Sequence, residues 1–113
     1  MRSPREVYDD HWESIQAGDM DRVIADYAED AVFVLPNRVG RGHTEILAIF
    51  GELGEDLAGF ELAQESVTVG GSMVLFEWSG RDGDGNTAAG VDSFHIHDDR
   101  IRFQALSYRK SNG

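Results

Sequence analysis

The run Val91–Tyr108, in which Ser93–His97 and Arg100–Ala105 alternate in polarity on either side of Asp98-Asp99, predicts a β-hairpin. Side chains two apart on a strand share a face. Gly90, Asp92, Phe94 and Ile96 therefore point one way, and Val91, Ser93, His95 and His97 the other. With the Gly90–Ile96 face inward, the hairpin carries one carboxylate, Asp92, into an apolar layer. An acid taken out of water needs hydrogen-bond partners, so Asp92 is either a structural anchor bonded to an amide or a tyrosine, or part of a site.

The rest of the chain sets what this hairpin packs against. A first helix is predicted over Pro4–Ala17: Ser3 caps it, Pro4 suits its first turn, and Val7, Tyr8, His11, Trp12 and Ile15 form an apolar stripe. Gly18 ends it, and Asp19 caps a short second helix over Met20–Ala28, with Val23, Ile24 and Tyr27 as its buried side. Ala31–Leu35 reads as a buried strand stopped by Pro36-Asn37. A loop through Gly40 and Gly42 leads to a third helix over His43–Leu53. Further strands are expected at Phe60–Val69 and Met73–Ser79, with a hairpin turn at Asp82-Gly83-Asp84-Gly85. Thr87–His97 and Arg100–Tyr108 complete the sheet, and residues 111–113 read as a loose tail. Helices early and antiparallel strands late make an α+β domain over residues 1–113. Gly70, Gly71, Gly80 and Gly90 are candidates for bulges that bend such a sheet into a cone around the helices.

Composition excludes several kinds of chemistry. With no cysteine in 113 residues, disulfides, thiolate catalysis and cysteine-ligated metals are ruled out. A net charge of -11 repels phosphate backbones and anionic lipid, so nucleic-acid and membrane partners are not expected. Lys110 is the only lysine and lies near the end of the chain, which disfavours a buried Schiff-base lysine. Met1–Glu6 lacks the apolar core of a signal peptide, and no apolar run approaches the roughly 20 residues of a membrane span. The expected location is the cytoplasm.

Two segments carry a family likeness. Gly18 through Phe33 resembles the N-terminal signature of the SnoaL-like, ketosteroid-isomerase-like superfamily, which includes nuclear transport factor two. Gly40-Arg41-Gly42-His43-Thr44-Glu45-Ile46 resembles the start of that family's third helix, and the closing hairpin resembles its last two strands. The resemblance implies a cystatin-like, nuclear transport factor two-like cone. Its curved antiparallel or mixed sheet packs on three N-terminal helices, it encloses a deep pocket, and it commonly pairs into a homodimer through the outer sheet face. Family members include isomerases, cyclases, dehydratases, epoxide hydrolases and non-enzymatic binding modules, so the fold alone does not fix a function.

The same resemblance places individual residues. Asp92 falls where ketosteroid isomerases keep a protonated aspartate that donates to an oxyanion. His11 falls at their oxyanion-hole tyrosine. Leu35 replaces their general-base aspartate, and a leucine takes no proton. Gly90 replaces the arginine that epoxide hydrolases of this fold require. The candidate catalytic pair is therefore Asp92 as acid or oxyanion donor and His11 as base or second donor. Tyr8, Trp12, Tyr27, Phe33, Leu35, Phe50, Phe76, Trp78, Phe94, Gln104 and Tyr108 are candidate pocket wall, with plain core packing the competing role for each aromatic.

His95 and His97 share the opposite face of their strand and are expected at the surface or a dimer interface, not around a metal. No metal or other cofactor is expected. The ligand class is a small apolar organic molecule, and the activity, if there is one, cofactor-free isomerisation, cyclisation or dehydration of a hydrophobic carbonyl compound. The alternative is a non-catalytic ligand-binding or dimerisation module.

Overall fold

The capping residues of the first helix act as their identities predict. Ser3 Oγ accepts from the Glu6 amide while the Glu6 carboxylate accepts from the Ser3 amide, and Gly18 closes the far end in the left-handed region at φ 66°. The computed structural model describes residues 1–113. It has helices α1 (Pro4–Ala17), α2 (Met20–Ala25) and α3 (Gly42–Asp56). Its strands are β1 (Tyr27–Leu35), β2 (Arg38–Arg41), β3 (Glu61–Gly70), β4 (Met73–Arg81), β5 (Thr87–His97) and β6 (Arg100–Ser111). They form one mixed sheet in the order β2-β1-β6-β5-β4-β3. Only β1 and β6 run parallel; every other neighbouring pair is antiparallel. The fold is α+β, with seventeen buried apolar residues forming one core. No helix is long and apolar enough to cross a membrane.

Several elements differ from the sequence reading, among them the third helix, which runs on past Leu53 to Asp56. The second helix stops at Ala25 rather than Ala28, because the Asp26 carbonyl accepts the Ile101 amide at 2.8 Å and the chain turns into the sheet. Tyr27 consequently opens β1 instead of lying on the buried side of a helix. The stretch read as a loop through Gly40 contains β2, which pairs with β1 from Val32↔Arg41 to Leu35↔Arg38. Four residues are too few to show an alternation, and their pairing comes from the neighbouring strand. The last strand continues to Ser111, into the expected tail.

The register shifts that bend the sheet also fall elsewhere than at the glycines named above. They lie between Tyr27 and Val32 on β1, Gln64 and Ser66 on β3, and His95 and Ile96 on β5. Gly71 instead makes the β3–β4 turn at φ 57°. The Asp82–Gly85 turn is the expected hairpin, with Asp82 Oδ1 accepting from the Asp84 and Asn86 amides.

The segment before α1 meets two turns in a charged clasp. The Arg2 guanidinium donates to Asp26 at 2.8 Å and to Asp99 at 2.9 Å, and the Arg2 amide also donates to Asp99. Arg22 donates to Asp10 alongside. Arg2 thereby ties the segment before α1 to the start of β1 and to the β5–β6 turn.

Candidate active site

The inner face of β5 presents Asp92 between Phe76 of β4 and Leu106 of β6, its direct register partners. One pair further along, Trp78 lies opposite Gly90. A Cβ on Gly90 would stand 2.4 Å from the Trp78 ring and 2.7 Å from Tyr108 Cβ, so only glycine leaves room for the indole there. Thus seated, Trp78 Nε1 donates to Asp92 Oδ2 at 2.9 Å. On the other side, Gln104 of β6 is the register partner of Phe94, and its Nε2 donates to Asp92 Oδ1 at 2.8 Å. The Gln104 amide oxygen in turn accepts the hydroxyl of Tyr27.

Asp92 is only 6% exposed, and burial pushes its pKa up to about 7. The hydrogen bonds from Gln104 and Trp78 favour the carboxylate and oppose that rise in part. Both donors are neutral, so no cation locks the ionised state.

His11 projects from the buried stripe of α1 into the same hollow. Its ring meets Phe94, Tyr27 and Phe50 edge-on, at centroid distances of 5.3, 5.7 and 6.0 Å. Nδ1 is buried without a hydrogen-bond partner. Burial pushes the imidazole pKa down to about 4, against a weaker upward pull from Asp10, so the ring is neutral at pH 7.

The cavity between α1, α3 and the sheet measures about 310 Å³, and twelve of its seventeen lining residues are hydrophobic. It brings together His11, Trp12, Phe33, Phe50, Phe76, Trp78, Asp92, Phe94 and Gln104 of the expected set. Four expected wall residues lie outside it. Tyr8 is wholly buried beside Phe76 and Phe94, with its hydroxyl donating to Gln64. Tyr27 sits behind Gln104 rather than on the wall. Leu35 and Tyr108 line a separate groove with Arg38, Glu52 and Asp56, where Tyr108 donates to Asp56.

The sequence reading missed Ile15, Gly18, Met20, Leu53, Gly54, Leu57, Leu62 and Leu106 as wall. Ile15, Leu53 and Leu106 carried a signal, since they continue helix stripes or the Gln104 face of β6. The others arrive at the rim through tertiary packing. On the opposite sheet face, the rings of His95 and His97 stack 6.4 Å apart, with Phe103 5.9 Å from His95.

Solved structures share this architecture. A candidate ketosteroid isomerase from Kribbella flavida superposes with a TM-score of 0.79 at 15% identity, covering 97% of this chain and 80% of that one. A nuclear transport factor two-like protein of unknown function from Burkholderia pseudomallei gives 0.81 at 16% identity, covering 96% and 92%. A candidate polyketide cyclase from Sinorhizobium meliloti gives 0.75 at 22% identity, covering 88% and 92%. At these identities the likeness concerns the fold. No curated protein matches the chain at a significant level. The SnoaL-like domain pattern matches residues 8–104, from the first helix to the glutamine that holds Asp92, and the chain belongs to the SnoaL-like domain family.

Proposed function

We propose that this protein binds a small, mostly apolar carbonyl compound in the hollow beneath α1 and carries out cofactor-free acid–base chemistry on it: isomerisation, cyclisation or dehydration. The supporting observation is that Asp92, poised near neutral pH, shares one apolar cavity with a neutral, unpaired His11. A cavity of about 310 Å³ falls within the range of small-molecule pockets. The candidate cyclase and isomerase among the structural neighbours agree with this reading.

The hydrogen bonds favour a division of labour. Trp78 and Gln104 offer Asp92 donors only, so both carboxylate oxygens act as acceptors. Asp92 is then the base that takes a proton beside the carbonyl and returns it elsewhere; a pKa near the working pH suits both steps. Neutral His11 supplies an N–H to the carbonyl oxygen as negative charge develops there. This reverses the order suggested by the family resemblance, in which the aspartate donates.

Proton exchange tests the proposal without knowledge of the product. Wild-type protein in deuterated water should speed deuterium uptake beside the carbonyl in a panel of cyclic ketones and β-diketones. Asp92→Asn should slow this by about 10²- to 10⁴-fold. If no compound exchanges faster than in buffer and none shifts the NMR signals of His11 or Asp92, the enzymatic reading fails. A non-catalytic module then remains.

We also propose that a second copy of the chain covers the outer sheet face. Val34, Met73, Leu75 and Phe103 stand exposed there, Phe103 at 55%, and a two-fold pair would bury both copies' patches against each other. Sedimentation should give a dimer for wild type and a monomer for Phe103→Glu; a monomeric wild type overturns this assembly.

A further inference from the structure

Gln104 bridges two groups through opposite ends of its side chain. Its nitrogen donates to Asp92, and its oxygen accepts from Tyr27. Turning the amide by half a revolution would exchange the ends. The oxygen would then face Asp92, which would need a proton of its own to bond it. The direction of this amide therefore selects which state of Asp92 is favoured.

Tyr27 makes that selection. Its side chain is buried, and Gln104 is the one hydrogen-bond partner of its hydroxyl. With the amide reversed, the phenolic proton would be buried without an acceptor, which is strongly disfavoured. Burial, reinforced by the charge of Asp92, also holds the phenol above its ordinary range, so it remains a donor. Tyr27 in turn is fixed in place where its carbonyl meets His43 Nε2 at 2.9 Å and where β1 runs beside β6.

We propose that Tyr27 is a positioning residue for Asp92: its hydroxyl orients the Gln104 amide so that the nitrogen faces the carboxylate and keeps Asp92 a proton acceptor. The catalytic meaning rests on the acid–base reading above, whereas the relay itself does not. The other titratable groups around Asp92 do not supply this control. Tyr8 and His11 of α1 are neutral at pH 7. The β4 and β6 neighbours Trp78 and Gln104 carry no charge, and α3 offers Phe50, Leu53, Gly54 and Leu57 to the cavity. Tyr108 packs against Trp78, but its hydroxyl turns away to Asp56.

The test reads the Asp92 carboxyl carbon by NMR across pH, in the absence of any substrate, with the signal assigned by its loss in Asp92→Asn. Tyr27→Phe should raise the proton affinity of Asp92 by about tenfold, one pKa unit. Gln104→Met should raise it at least as far, and the double variant no further than Gln104→Met alone. An unchanged Asp92 titration in folded Tyr27→Phe, or additive effects in the double variant, overturns the proposal. Should Tyr27→Phe fail to fold, the wild-type protein decides. The Gln104 side-chain amide signals must then move with Asp92 ionisation, and a Tyr27 hydroxyl proton must be seen sheltered from exchange; absence of either overturns the relay. A protein that exchanges no ketone protons yet passes this test loses the enzymatic reading and keeps the relay.

Discussion

Asp26 and Asp92 are buried to nearly the same degree, at 3% and 6% exposed, yet their surroundings give them different uses. Asp26 lies in the clasp. Burial and the neighbouring Asp10 carboxyl push its pKa up, while the Arg2 guanidinium at 2.8 Å pulls it back. It is not among the residues lining the cavity around Asp92, and its bond to Arg2 helps tie three parts of the chain together. Asp92 is held by an indole and an amide, both neutral, and lines an apolar cavity. The Arg2 guanidinium pulls Asp26 towards ionisation without outweighing burial and Asp10, and it ties that acid into a structural bond. Neutral donors position a carboxylate and leave its proton free to come and go.

The largest expected effect contrasts the two acids directly. Asp92→Asn should reduce proton exchange by about 10²- to 10⁴-fold, whereas Asp26→Asn should leave it within about threefold. Equal losses in both variants would dissolve the distinction.

Next comes pH dependence. Asp92 holds its proton to about pH 7 when folded but only to about pH 3.9 when unfolded, so between these values folding binds a proton and stability falls as pH rises. Asp26, also raised, adds to the fall. His11 works in the opposite sense: lowered to about 4 when folded against about 6.5 unfolded, it adds stability as pH rises through that window. Removing it with His11→Phe should steepen the fall by up to about 1.4 kcal/mol per pH unit, read from urea melts at about pH 4.5 and 6.5. An unchanged slope would mean that His11 titrates as freely folded as unfolded.

Gly90→Ala tests the neutral cradle itself. The added methyl meets the Trp78 ring, and should cost about 1–3 kcal/mol while raising the Asp92 pKa as the indole is displaced. Full stability with an unmoved pKa would show that the indole does not need this glycine. Arg2→Ala should have the smallest effect, about 1 kcal/mol in stability, because solvent screens its pair with partly exposed Asp99 and the buried Asp26, already raised, takes up a proton when the guanidinium goes. It should leave the Asp92 titration where it was; a shift would show that clasp and cavity are coupled.

Period and capping chemistry made much of this molecule readable from the chain. The first helix matches its predicted bounds because Ser3, Pro4 and Gly18 each act locally. Asp92, Phe94 and Trp78 were legible because a strand sorts alternate residues without regard to what covers them. Tyr27 was misplaced because its spacing from Val23 and Ile24 fits a helix. The bond that ends the helix comes from Ile101, far along the sequence. The reach of the cavity was only half legible, since periodicity gives a face but not a height along it. Tyr8, Leu35 and Tyr108 share the right faces and lie beyond the hollow. The hydrogen bonds on Asp92 were least accessible, because they join β4, β5 and β6 side chains whose meeting depends on register.

The parallel pairing of β1 with β6 has a consequence for how the protein is made. Tyr27 and Gln104 are separated by 77 positions, and their contact needs the last strand already laid against the first. Such distant pairings form late and slowly compared with local ones. During synthesis, a ribosome must therefore deliver the chain at least through Gln104 before Asp92 acquires its complete set of partners, and a nascent chain shorter than that carries the acid without its setting.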